Sequence, residues 1–267
     1  MARGCCCTSR NTTSLRHSNA GGIGARGDGT VGGAYHRNVL IAEDLLLLLT
    51  DDVTGRPQAD SVKLPHALAG AILFELALDG KVDVAGADAR VKAGRLVVTD
   101  ASPTGDEILD EALATIRERE GKKPQAVLSK LHKGLRDKLY ERLAERGILR
   151  GERDKVLGLF PRTSWPAGDV LHEQQVRAAI SATLGGDGRE IEARIGALIS
   201  LLSAIDAVTK VVDPHAFGIE KRELKRRAKS IAEQNWASEA VRKAVAAVNT
   251  TTTMAIVAGS TAAATTS

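Results

Sequence analysis

Leu128, Leu131, Leu135, Leu139 and Leu143 recur three or four residues apart, which sets them along one face of an α-helix. The seam opens at Pro124 and is stopped by Gly147, so the spacing predicts one helix of core-facing leucines. Aromatic residues are only 3% of the chain, while 43% of it is hydrophobic. The core therefore has to be filled by Leu, Ile, Val and Ala, a composition that favours helices over sheets. A chain of 267 residues can build one large domain or two small ones.

Residues 1–36 are rich in Gly, Ser and Arg, lack periodicity and read as a disordered tail. Cys5, Cys6 and Cys7 are adjacent and no other Cys follows, so they give neither a disulfide framework nor a closed zinc site. Order is expected from Val39. Residues 41–49 read as a short helix or strand, closed by Thr54, Gly55 and Pro57. Residues 64–78, with Leu68, Ile72 and Leu76 at helical spacing, predict a buried helix stopped by Gly80. Residues 82–84 and 95–98 read as paired strands. Ser102, Pro103 and Gly105 break the chain before a helix over 107–120. Residues 155–165 suit a β-hairpin or extended loop. Further helices are expected over 170–184, 190–212, 218–233 and 236–248, before a frayed Thr/Ala-rich tail at 250–267. Neither an internal repeat nor a Pro-rich linker interrupts 39–248, so one compact helical domain fits best.

The search for catalytic chemistry is negative. The sequence has no GxxxxGK loop, no GxSxG elbow and no HExxH, and its six His are scattered. Asp106, Glu107, Asp110 and Glu111 cluster at a helix start, where the N-terminal dipole already favours negative charge. No catalytic residue, metal site or cofactor is expected. The longest apolar stretch, 195–212, is broken by Ser200, Ser203, Asp206 and Lys210, which suits a buried helix better than a membrane span. The first thirty residues have no apolar core of a secretory signal.

The basic residues carry more. Net charge is +4 and pI about 9, compatible with an anionic membrane or nucleic acid. Lys130, Lys133 and Arg136 recur at i, i+3 and i+6, and cations held on a helix can grip a phosphate, although an ordinary solvated face has the same spacing. Lys221, Arg222, Lys225, Arg226, Arg227 and Lys229 form a denser run. Few aromatics accompany it, which argues against stacking on single-stranded nucleic acid.

Four segments, in order, resemble one known family. They are Leu45 to Leu48 with a following acidic turn and Gly55, then the apolar stretch from Gly70 through Phe74, Glu75 and Gly80. Pro103, Thr104, Gly105 and Asp106 run into Leu109, Asp110 and Leu113, and Leu135, Arg136 and Leu143 lead to Gly147 and Leu149. Ala197 to Leu202 with Asp206 completes the series. Together they are similar to the Golgi phosphoprotein 3 domain over 39–248, and the composition with Trp165 and Pro166 is similar to its bacterial branch. The resemblance implies a mainly α, single compact helical domain with a projecting β-hairpin. It implies no enzyme, but a cytoplasmic protein held peripherally on the inner face of a membrane through phosphatidylinositol 4-phosphate or a like anionic phospholipid. An adaptor role toward membrane-enzyme clients goes with it.

By the same resemblance, Lys133 and Arg136 match two basic residues of the family's lipid pocket. Its aromatic falls at Asp60 and its third basic residue at Ala69, so Lys63 and His66, two turns and one turn before Ala69, are the replacement donors. Phe160 and Trp165, on the hairpin, are candidates for a membrane contact or a homo-oligomer contact. The alternative is a helical protein–protein interaction module with a degenerate lipid pocket. A nucleic-acid partner for 221–229 is the weakest reading.

Overall fold

The computed structural model describes residues 39–86, 91–156, 160–186 and 190–233, all in one compact unit. The expected tails and the helix expected at 236–248 lie outside the described residues.

The leucine run near the start folds as a helix, α1 (Ile41–Leu48), and every residue in it is buried, Glu43 and Asp44 included. Glu43 settles the choice between helix and strand locally. Its Oε2 accepts a hydrogen bond from the Leu40 amide at 2.7 Å, satisfying a donor at the helix start, and both acids sit in the turn where the dipole favours them. A helix buried all round needs neighbours on every side. Here α2 (Lys63–Leu78), α5 (Leu135–Glu145), α6 (Leu171–Gly185) and α7 (Ala193–Ala204) pack around it.

The start of α2 is capped by Asp60, whose Oδ1 accepts from the amides of Val62 and Lys63 at 2.9 and 3.0 Å. Its end is the one expected. Gly80 takes φ 68° and the Lys81 amide turns back to the Leu76 carbonyl at 2.8 Å. β1 (Val82–Val84) and β2 (Leu96–Val98) pair antiparallel, Val82 opposite Val98. Asp106 then caps α3 (Glu107–Glu118), accepting from the amides of Ile108 and Leu109, so the acidic cluster there is a helix start, as read.

The leucine seam is not one helix. It divides into α4 (Pro124–Leu131) and α5, because Gly134 adopts φ 70° and the chain turns at His132 and Lys133. Leu128, Leu135, Leu139 and Leu143 still face the same core, since a turn that preserves the four-residue step from Leu131 to Leu135 keeps both faces inward. A second expected helix, 190–212, is also divided. α7 ends where Asp206 takes φ 59°, and the short α8 (Val208–Val211) follows. A 3₁₀ turn at Pro214–Phe217 leads to α9 (Lys221–Glu233), which buries Leu224, Ala228 and Ile231.

The expected hairpin is present as β3 (Glu152–Val156) and β4 (Phe160–Ser164), antiparallel with Val156 opposite Phe160. Its root is bolted to the α1–α2 loop. The Trp165 amide donates to the Gly55 carbonyl at 3.0 Å. Gly55 has φ +61°, and a Cβ there would lie 2.2 Å from the Trp165 nitrogen, so only glycine fits. No helix among the described residues is long and apolar enough to cross a membrane.

Candidate anion-binding site

Most of the buried or half-buried cations already have carboxylate partners. Arg142 donates to Glu43 at 2.9 Å and to Asp106 at 2.7 Å, and Arg146 reaches Glu43 at 3.3 Å. Arg194 holds Asp44 at 2.9 Å and Glu75 at 3.1 Å, while His172 Nε2 lies 2.7 Å from Asp44. Half of the dense run on α9 is paired as well. Lys225 pairs with Asp206 at 2.7 Å, and Arg226 and Arg227 share Glu223. Those two guanidiniums hold the Glu223 carboxyl down at about 2.

Lys63, Lys130 and Lys133 form no ion pair among the described residues. Lys63 lies in the first turn of α2 and Lys133, exposed, in the turn before Gly134. Between them the imidazoles of His66 and His132 meet edge-on, centroids 4.6 Å apart. That contact joins the segment carrying Lys63 to the segment carrying Lys133. His66 Nδ1 is buried and has no hydrogen-bond partner among the described residues. Burial first, and the neighbouring His132 charge second, push the His66 pKa below its usual 6.5.

Arg136 opens α5 on the far side of Gly134, so Lys133 and Arg136 flank a turn instead of sharing one helical side. Its side chain is 41% exposed, and its Nε donates to Asp137 at 3.2 Å. One turn along α5, Tyr140 is stacked on Trp165, rings 5.2 Å apart and parallel within 1°. The Tyr140 hydroxyl lies 2.9 Å from Thr50 Oγ1, and burial raises its pKa. Trp165 is thus half-buried against its own domain, one turn from Arg136.

The two positions that depart from the family pocket have plain structural duties. Asp60 caps α2, and Ala69 is fully buried in the core. Sequence reasoning missed His132, the Tyr140–Trp165 stack, and a cavity under Lys130, Lys133 and Lys138. None of these has a short-range signature. The carboxylates of α1 did leave one, because two acids in a leucine run have to meet cations from elsewhere in the chain.

Comparison with known proteins fits this architecture. A family model described as Golgi phosphoprotein 3 (GPP34) matches residues 41–248, starting at the first residue of α1. The chain is also similar to vacuolar protein sorting-associated protein 74 of Eremothecium gossypii, 27% identical over 164 residues. That alignment covers 54% of this chain and 48% of the relative, so the chain spans about half the length of the curated relative it matches.

Proposed function

Because this chain belongs to the Golgi phosphoprotein 3 family, we propose that it binds membranes peripherally through anionic phospholipid headgroups of the phosphatidylinositol 4-phosphate type. Lys133 and Arg136 are the phosphate donors, Lys63 and His66 the further ones, and the bound protein serves as an adaptor for membrane-enzyme clients. The observation that carries this reading is the His66–His132 contact. It joins the segment carrying Lys63 to the segment carrying Lys133, two lysines that form no ion pair among the described residues, and a phosphate needs convergent donors. Trp165, stacked on Tyr140 one turn from Arg136, takes the part of the aromatic absent at Asp60.

Sedimentation with liposomes containing phosphatidylinositol, its 4-phosphate or cardiolipin tests it. Near an acidic surface each cation contributes about 1 kcal/mol. Lys133→Ala with Arg136→Ala should therefore weaken binding roughly tenfold to thirtyfold. The difference should shrink in high salt. The control is Lys225→Ala with Arg226→Ala, two cations already paired on α9. If the control abolishes binding and the first variant does not, the site is wrong. If no anionic liposome retains the wild-type chain, the interaction-module reading replaces this one.

A further inference from the structure

A cavity of about 120 Å³ lies between α2, α3, α4 and α5. Its floor is apolar: Ile72, Ile108, Ala112, Leu131 and Leu135. Ile108 and Ala112 are one turn apart on α3, and the small Ala112 side chain leaves the depression between its larger neighbours. The rim is charged. It carries Lys130, Lys133 and Lys138 against the single carboxylate of Glu111, which is already bound by Lys138. Lys130 and Lys133 thus line the cavity with no ion pair among the described residues.

We infer that this cavity binds a small aliphatic carboxylate. A bare anion would use the lysines and leave the apolar floor unfilled. A neutral hydrocarbon would fill the floor and leave the two ammonium groups unanswered. A carboxylate on a short hydrocarbon body satisfies both, offering one oxygen to each free lysine while its methylenes leave water. Size limits the body. A dry cavity of about 150 Å³ takes a six-carbon ring, so this one accommodates about five carbons below the carboxylate.

The site is separate from the proposed lipid contact, with Lys133 alone common to both. Lys138 and Arg136 are two residues apart on α5, hence about 200° apart around it. Arg136 lies one turn before Tyr140 on α5, while Lys138 lines the cavity.

Titration of the full chain with hexanoate, followed by heteronuclear NMR, tests the inference. Saturable shifts at Ala112, Thr115 and Leu135, with affinity in roughly the millimolar range for so small a ligand, are expected. Lys130→Gln, at an exposed position, should weaken binding about threefold to fivefold. Ala112→Leu should fill the cavity and abolish it. Hexanol should bind at least about fivefold more weakly than hexanoate. Arg136→Gln should leave hexanoate affinity unchanged while weakening liposome binding, so the two readings fail separately. Equal affinity for hexanoate and hexanol would overturn the inference. So would unchanged affinity in Lys130→Gln, which does not depend on Ala112→Leu folding.

Discussion

Around α1, Glu43, Asp44 and Glu75 each meet an arginine within 3.1 Å, whereas at the turn between α4 and α5, Lys130 and Lys133 meet no carboxylate among the described residues. Both regions are charged and both rest on the same aliphatic core. Their difference lies in solvent. A carboxylate fully removed from water has to be paired or protonated, so the chain supplies Arg142, Arg146 and Arg194. An exposed ammonium is solvated and can stay uncommitted until an anion arrives. Paired charge in this molecule holds the fold together, and unpaired charge is available for binding.

The strongest way to break that contrast is to remove a buried partner. Arg194→Met leaves Asp44 and Glu75 in the core without their guanidinium. It should cost about 3–5 kcal/mol in chemical denaturation. A loss below about 1 kcal/mol would mean that His172 alone compensates Asp44, and that the network is less demanding than its burial implies.

Gly55→Ala comes next. It forces a side chain into a left-handed conformation and against the Trp165 backbone, at a cost of about 2–4 kcal/mol. The hairpin root should detach first, read as faster amide exchange at Trp165. By comparison, Lys133→Ala with Arg136→Ala should change stability by less than about 0.5 kcal/mol while lowering liposome affinity roughly tenfold to thirtyfold. Loss of stability from that pair would show that the turn is structural and blur the contrast.

Glu173 sits between the two cases. Burial pushes its carboxyl up to about 7, opposed by Arg177 and reinforced by nearby Asp52. Between pH 4.5 and about 7 the folded chain therefore holds a proton that the unfolded chain releases, so this group's contribution to stability falls as pH rises through that window. Glu173→Gln should flatten the melting temperature between pH 5 and pH 8, an effect of about 1 kcal/mol. The smallest effect concerns His66. A bound phosphate favours its protonated form, so liposome binding should strengthen about twofold to threefold as pH falls below 6.5, and His66→Gln should remove that gain.

Much of the fold was legible because the core is aliphatic and periodic. The ends of α2, the cap of α3 and the pairing of β1 with β2 all follow from residues next to one another in sequence. The two divided helices were not legible. At Gly134 a four-residue leucine step spans a turn as readily as a helix, and at Asp206 a non-glycine residue takes the left-handed conformation without announcing it. For the site, Lys133 and Arg136 could be named from the resemblance, but their surroundings could not. His66 finds His132 across 66 residues, and Tyr140 finds Trp165 across 25. Contacts of that kind depend on how the helices dock, which the periodicity of any one helix does not encode.

The ion pairs of α1 also impose an order on biosynthesis. Glu43 waits for Arg142, 99 residues later in the chain, and Asp44 waits for Arg194, 150 residues later. At about 5–20 residues per second, a ribosome leaves the second interval open for roughly 8 to 30 s. Through that time the leucines of α1 cannot be sealed into their final setting, since the acids beside them lack counter-charges. Contacts so distant in sequence also make closure slow. The first helix synthesised in the described part of the chain is thus among the last to be secured, and its leucines need shielding from other chains in the interval.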